Sequence, residues 1–333
     1  MSVTLLNLIE VVLNGLMVGV LYSLVALGFV LIFKASGIFN YAQGVMALFA
    51  ALTLVGLQSG QIPFSHLINA TFGTNLHHFG WELPAIVALA LTVLVMAVLA
   101  ILVERLLLRH LVNQEPIILF MATIGLAYFL EGLGDLMWGA DIKAVDVGLP
   151  KGGSLWFEDL TKGWAAEGSD YWGMYVDKLD VAAAVIAALL VVALTLFSQY
   201  TRTGRALRAV ADDHQAALSV GISLRAIWVI TWTIAGVVAL VAGVMWGAKT
   251  GVQFSLSLIA LKALPVLILG GFTSIPGAIV GGLIIGVGEK LFEFSIGPMI
   301  GGATENWFAY VLALVFLMFR PQGLFGERLI ERV

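Results

Sequence analysis

The sequence predicts an all-α protein that crosses a membrane many times, and three observations carry that prediction. Hydrophobic residues fill 60% of the 333 positions and charged residues only 11%, against about 25% charged in soluble domains. Mean hydropathy is +1.01. The apolar residues gather into runs of about 20, the length of helix that crosses hydrocarbon, where a segment must satisfy its own backbone hydrogen bonds. The chain reads as a single transmembrane domain over 1–333.

The runs fall near 11–33, 38–57, 84–103, 116–133, 181–197, 227–248, 254–270, 277–290 and 307–319. Glycine and proline interrupt the stretch from 250 to 300, so the expected number of spans is eight or nine. The first run lacks a basic flank and a small-residue cleavage site, and it reads as a retained span rather than a signal peptide. Two polar interruptions stand out, 135–179 and 201–224. With nine spans, Arg105, Arg109, Arg202, Arg205, Arg208, Arg225, Arg320, Arg328 and Arg332 all fall on one side. The positive-inside rule makes that side cytoplasmic, leaving 135–179 outside, the N-terminus outside and the C-terminus in the cytoplasm. Four spans on each side of the fifth span and its following segment, with opposite orientation, predict an inverted repeat.

Glycines recur four apart at Gly15/Gly19, Gly243/Gly247/Gly251, Gly277/Gly281 and Gly282/Gly286. In lipid, small residues at that spacing let helix backbones approach, so these positions read as packing.

Several chemistries are excluded. There is no cysteine, hence no disulfide, thiol nucleophile or thiolate metal site. A net charge of −4 argues against nucleic acid. No G-x-x-x-x-G-K-[S/T] loop occurs, so the chain itself should not bind or hydrolyse ATP. His77 and His78 are adjacent rather than four apart on a helix and read as loop, not metal ligands. No metal site and no enzyme site are expected.

Polar residues inside the spans are few, and each is costly there. Lys262 lies in an apolar run, Glu289 and Lys290 end another, and Glu131 ends the fourth. Lys262 has two open readings: a lining of a water-filled path, or a side chain snorkelling from a shorter helix. Asn14, Tyr22 and Ser23 in the first span, and Asn40 and Gln43 at the start of the second, are candidates for a translocation path or for bonds between helices. The shortage of buried carboxylates argues against a proton- or sodium-coupled carrier.

The segment 201–224 has strong helix formers between Gly204 and Gly221, and these two glycines bracket it as natural breaks. Arg205 and Arg208 share a face, Asp212 and Asp213 follow about a turn later, and Leu207, Ala211 and Leu218 form a short apolar face. It is either an ordinary solvated loop or a surface helix gripped by another protein.

Read together, the motifs resemble one family. Asn14-Gly15, Gly19, Tyr22-Ser23-Leu24 and Ala26-Leu27-Gly28 are similar to the first span of branched-chain amino acid permeases of the ABC importer class, the LivH/LivM type. The run from Gly37 to Gly44, with Asn40 and Gln43, resembles that family's hinge, although Val45 stands where a glutamate is common. Glu104-Arg105 with Arg109 resembles its third-span ending, and Gly204 to Ile222 its coupling segment. Gly270-Gly271 with Ser274-Ile275-Pro276-Gly277-Ala278, and Arg320-Pro321-Gln322-Gly323-Leu324-Phe325-Gly326, resemble its late motifs.

The resemblance implies a type II importer-like permease subunit in the bacterial inner membrane. It would work with a second LivH/LivM-type permease, two ATPase subunits carrying ATP and Mg, and a periplasmic solute-binding protein. Gly204, Arg205, Leu207, Arg208, Asp212, Asp213 and Gly221 would form the ATPase-coupling segment. Gly37, Gly44, Gly270, Gly271, Pro276 and Gly277 would be hinge positions. The solute would be a branched-chain amino acid or a relative such as urea, an amide or an aromatic acid. The competing expectations are an ATP-independent channel or facilitator for a small neutral solute, and a membrane scaffold.

Overall fold

The computed structural model describes residues 3–111, 114–164, 171–212 and 214–326. Among them there is no strand, only isolated bridges between extended residues. The helices are α1 (Val3–Ser36), α2 (Gln43–Gln58), α3 (Ser65–Phe72), α4 (Ala85–Leu106), α5 (Pro116–Trp138), α6 (Leu155–Lys162), α7 (Lys178–Tyr200), α8 (Arg202–Asp212), α9 (His214–Ser219), α10 (Leu224–Thr250), α11 (Ile259–Gly270), α12 (Ile275–Ser295), α13 (Gly297–Ile300) and α14 (Phe308–Phe319). The protein is an all-α polytopic membrane protein. Six of the described helices are long and apolar enough to cross a membrane, and three shorter apolar segments, Gln43–Gln58, Phe254–Gly270 and Phe308–Phe319, complete the set.

The nine apolar runs are all found, but their limits move. The first extends back to Val3, giving a helix of 34 residues, about 50 Å long. The second starts at Gln43 rather than 38, because Gly37 takes φ +68° at the end of α1 and the Asn40 side chain then accepts from Ala42 N at 3.2 Å. The seventh is broken: a 3₁₀ turn, Phe254–Leu258, precedes α11, which carries Pro265 inside it. The eighth continues to Ser295, which places Glu289 within the helix rather than at its end.

The chain forms two compact units that alternate along the sequence. One holds the described residues of Met1–Ala26, Leu149–Val191 and Lys262–Val333; the other holds those of Leu27–Gly148 and Val192–Leu261. In the second unit α2 is the core element, with every residue from Gln43 to Gly56 buried, as expected for a short helix apolar on all sides. It packs against α10, α4, α5 and the 3₁₀ turn Phe254–Leu258. Two glycines make those approaches possible. A Cβ on Gly243 would meet the Ala47 carbonyl oxygen at 2.2 Å, and one on Gly44 would meet that of Ser257 at 2.1 Å. In the first unit α12 packs on α14 and on the early part of α1.

Candidate functional site

The segment predicted as a surface helix forms α8 and α9, with Asp213 outside the described residues. The expected break at Gly204 is not there: α8 starts at Arg202. The chain instead turns at Thr201, whose hydroxyl accepts from Gly204 N at 2.9 Å. Gly204 is needed for closeness, since its Cβ would lie 2.3 Å from the Phe197 carbonyl oxygen at the end of α7. Gly221 does break the helix, at φ +84°, with Ile222 N donating to Ala217 O at 3.0 Å.

The two faces of α8 do different things. Leu207 and Val210 are buried and join Ala217 of α9, Ala35 at the end of α1 and Ile227 near the start of α10 in one apolar cluster. Of the short apolar face expected from Leu207, Ala211 and Leu218, Leu207 is packed into the interior. Trp228 of α10 strengthens the same joint by donating its indole N–H to the Ala35 carbonyl at 3.3 Å. Arg205 and Asp212 lie on the exposed face, while Arg208 and Ala211 are half-buried and Leu218 is exposed. Both arginines also reach back to α7: Arg205 donates to Tyr200 O at 3.4 Å and Arg208 to Gln199 O at 3.3 Å. Cations there suit the carbonyl end of a helix. A guanidinium has five N–H donors, so Arg205 keeps most of its capacity for another molecule.

A second polar group lies inside the other unit. Lys262 of α11 donates to Glu289 Oε1 of α12 at 3.1 Å, and Tyr22 of α1 donates its hydroxyl to Glu289 Oε2 at 2.9 Å. Lys262 Nζ also reaches Tyr22 Oη at 3.3 Å and the Glu305 carbonyl at 3.4 Å. Glu289 is only 1% exposed. Beside it, Lys290 pairs with the Glu305 carboxylate at 2.7 Å, and Glu293 accepts from Thr304 N at 2.7 Å and from the Thr304 hydroxyl. Glu289 thus supplies a buried carboxylate that the sequence reading placed at a helix end. A charge at that depth is tolerable because each oxygen has a donor and the cation is adjacent.

The remaining path candidates divide. Asn40 and Gln43 are buried and bond to each other at 3.2 Å, and Gln43 donates onward to Ala235 O of α10 at 3.3 Å. They tie the start of α2 to α10. Ser23 donates to Gly19 O at 2.8 Å and Ile279 O at 3.2 Å, which links α1 and α12. Asn14 is half-buried and belongs to neither group.

A family model described as "Branched-chain amino acid transport system / permease component" matches residues 11–320. The chain belongs to that family. The permease is similar to LivH, the high-affinity branched-chain amino acid transport system permease protein of Escherichia coli (strain K12), at 27% identity with 100% of both chains covered. It is similar to BraD of Pseudomonas aeruginosa, the corresponding permease protein, at 28% identity over 96% of each. LivM of Escherichia coli (strain K12) matches 47% of the permease and 37% of its own length at 30% identity.

The late motifs of this permease have a plain structural basis. Ser274 caps α12 by accepting from Gly277 N at 3.0 Å, and Pro276 occupies the first turn, where no backbone donor is lost. Gly270 and Gly277 touch so closely that a Cβ on either would lie 2.1 or 2.2 Å from the other's carbonyl oxygen. Gly271 sits at φ +103° beside the terminal motif, whose Leu324 N and Phe325 N donate to Leu269 O and Gly270 O at 2.8 and 3.2 Å. The tail thereby satisfies carbonyls left open at the end of α11. The residues read as hinges form a closely packed elbow. At the earlier site, Gly37 ends α1 and Gly44 makes the approach to Ser257.

Proposed function

We propose that this permease carries branched-chain, hydrophobic amino acids inward across the bacterial inner membrane, and that residues 201–224 are where ATP-driven motion enters it. It is a transport subunit of an ABC importer rather than an enzyme, and hydrolysis belongs to partner subunits. The finer assignments are a second permease of the LivH/LivM type, two ATPase subunits with ATP and Mg, and a soluble binding protein on the outer side. They rest on the relatives' names and on the missing phosphate loop. The orientation, with α8 and α9 in the cytoplasm, rests on the distribution of arginine. On the opposite side, Trp172 and Tyr175 are exposed between α6 and α7 and are the aromatic anchors we assign to the binding protein.

The observation that carries the reading is the division of labour in α8. Arg205 and Asp212 face outward while Leu207 and Val210 are bedded with the ends of α1 and α10. A push on the polar face must then be passed to two long helices, and only differential contact of this kind can bias one transporter state over another.

The test is uptake by cells or proteoliposomes carrying the full complex with Arg205→Glu, beside Arg205→Lys. Uptake should be lost in the first and largely kept in the second, with equal amounts of permease in the membrane. Undiminished uptake by Arg205→Glu, or full-rate transport by the permease alone without nucleotide, would favour a facilitator and refute the reading.

A further inference from the structure

Where α4 ends and α10 begins, the second unit has a pocket of about 710 Å³, with Glu104, Arg105, Arg109 and Arg225 on its polar side and Ile101, Val229 and Ile230 on its apolar side. Its charges are unbalanced: Arg105, Arg109 and Arg225 are exposed around the single acid Glu104. Glu104 is only 4% exposed. Among the described residues its Oε1 accepts no hydrogen bond, and its ion pair with Arg225 Nε is long, at 3.8 Å. The positive end of the 27-residue α10 adds to the field, with Ser223 as its cap.

We infer that this pocket binds the headgroup of an anionic phosphodiester lipid that carries hydroxyl donors, a glycerol headgroup being the simplest. The phosphate answers the surplus of guanidinium, which holds phosphate through paired N–H donors. A headgroup hydroxyl answers the buried Glu104 oxygen, which has the long ion pair to Arg225 but no hydrogen-bond donor among the described residues. The apolar wall of Ile101, Val229 and Ile230 answers the acyl chains. It continues along the outer face of α4 through Val98, Leu102 and Leu106, all exposed.

Other occupants meet fewer of these demands. A free phosphate leaves the apolar wall in water. An acidic side chain of a soluble protein brings no donor to Glu104, and a basic one meets three like charges. Basic pockets between spanning helices at the membrane edge are a known manner of holding anionic headgroups. The lipid would also bridge α4 and the start of α10, next to the joint with α8.

The experiment is native mass spectrometry of the full chain released from detergent, titrated with dioleoyl-phosphatidylglycerol, dioleoyl-phosphatidic acid or dioleoyl-phosphatidylcholine, with glycerol 3-phosphate as soluble competitor. Phosphatidylglycerol should be retained about tenfold more strongly than phosphatidylcholine. Arg105→Gln with Arg109→Gln should remove that margin; both side chains are exposed and the ion pair of Glu104 with Arg225 is left in place, so size-exclusion profiles should not change. Glu104→Gln should raise phosphatidic acid toward phosphatidylglycerol, because the repelling charge is gone while shape is kept. Equal retention of the three lipids, an unchanged preference in the arginine variant, or displacement by glycerol 3-phosphate at concentrations comparable to the lipid would overturn the assignment. So would protection of these arginines from phenylglyoxal by a soluble partner protein and not by lipid.

Discussion

Lys262 and Glu289 form an ion pair of 3.1 Å between α11 and α12, with the Tyr22 hydroxyl of α1 on the other carboxylate oxygen at 2.9 Å. Three helices of one unit are thus joined at a single buried acid. Removing two charges from water costs several kcal/mol per ion, and their attraction offsets this only when geometry and extra hydrogen bonds are good. The Tyr22 donor meets that requirement here.

Breaking this pair from one side should be costly. Lys262→Met leaves Glu289 buried with only Tyr22, and Glu289→Leu leaves Lys262 without its counter-ion. Each should lower stability in detergent by about 3–5 kcal/mol, whereas the double variant should recover a large part of the loss. A thermal-unfolding double-mutant cycle measures the coupling. Additive single losses would mean that the two charges do not support each other.

The close contacts of α1 with α12 give a steric prediction. A Cβ on Gly282 would lie 2.1 Å from Ser23 Oγ and 2.7 Å from Gly19 O, whereas one on Gly125 of α5 meets nothing within 4 Å. Gly282→Ala should therefore destabilise by about 1–3 kcal/mol through overpacking. Gly125→Ala should be stabilising by roughly 0.5–1 kcal/mol, the usual gain at a helix interior. Equal effects of the two substitutions on the unfolding midpoint would show that backbone approach is not what the glycines of this contact provide.

How far the sequence could be read follows from which signals are local. The apolar runs and the four-residue glycine spacing are local, and both reappear as helices and as the Gly15/Gly19 contact with Gly282/Gly286. The amphipathic character of α8 was also legible, but not which partner its apolar face had. Leu207 looked available because nothing near it in sequence announces Ala35 or Ile227. Glu289 was misplaced for a related reason. Lys262 lies 27 residues away, and an isolated acid beside Lys290 reads as the end of a span unless its distant partner is known. Asn40 and Gln43 admit a path role or a bonding role because polarity in a membrane signals function or bonding alike. The bond from Gln43 to Ala235, 192 residues away, is not announced by anything near it in sequence.

A pH dependence is expected at Lys143, in the loop after α5. Burial pushes its ammonium below the ordinary lysine value of 10.5, and Asp141 raises it only in part. Its ammonium donates to Gln61 Oε1 at 2.5 Å and to the Trp138 carbonyl at 2.6 Å. Between the folded value and 10.5 the unfolded chain holds more protons than the folded one, so this group's contribution to stability rises with pH across that window. Below the folded value the full cost of burying the charge remains. Against Lys143→Gln, the wild-type unfolding midpoint should gain as the buffer is raised from neutral toward about 10. A pH-independent difference would remove Lys143 from the account.

The joint between α8 and the long helices should separate gripping from transmission. Leu207→Ala with Val210→Ala deletes apolar volume among Ala35, Ala217 and Ile227 but leaves the outward Arg205 and Asp212 untouched. Leu207→Ala alone should cost about 2–5 kcal/mol of local packing, enough to let α8 tilt without carrying α1 and α10 with it. Arg205→Glu does the reverse: the packing stays and the outer charge is inverted. In the reconstituted complex, the double alanine variant should still co-purify with the ATPase subunits and hydrolyse ATP while uptake per ATP falls. The Arg205→Glu variant should lose the ATPase subunits during purification. If both variants lost the ATPase equally, the polar and apolar faces would not be doing separate jobs, and force would have to enter the permease elsewhere.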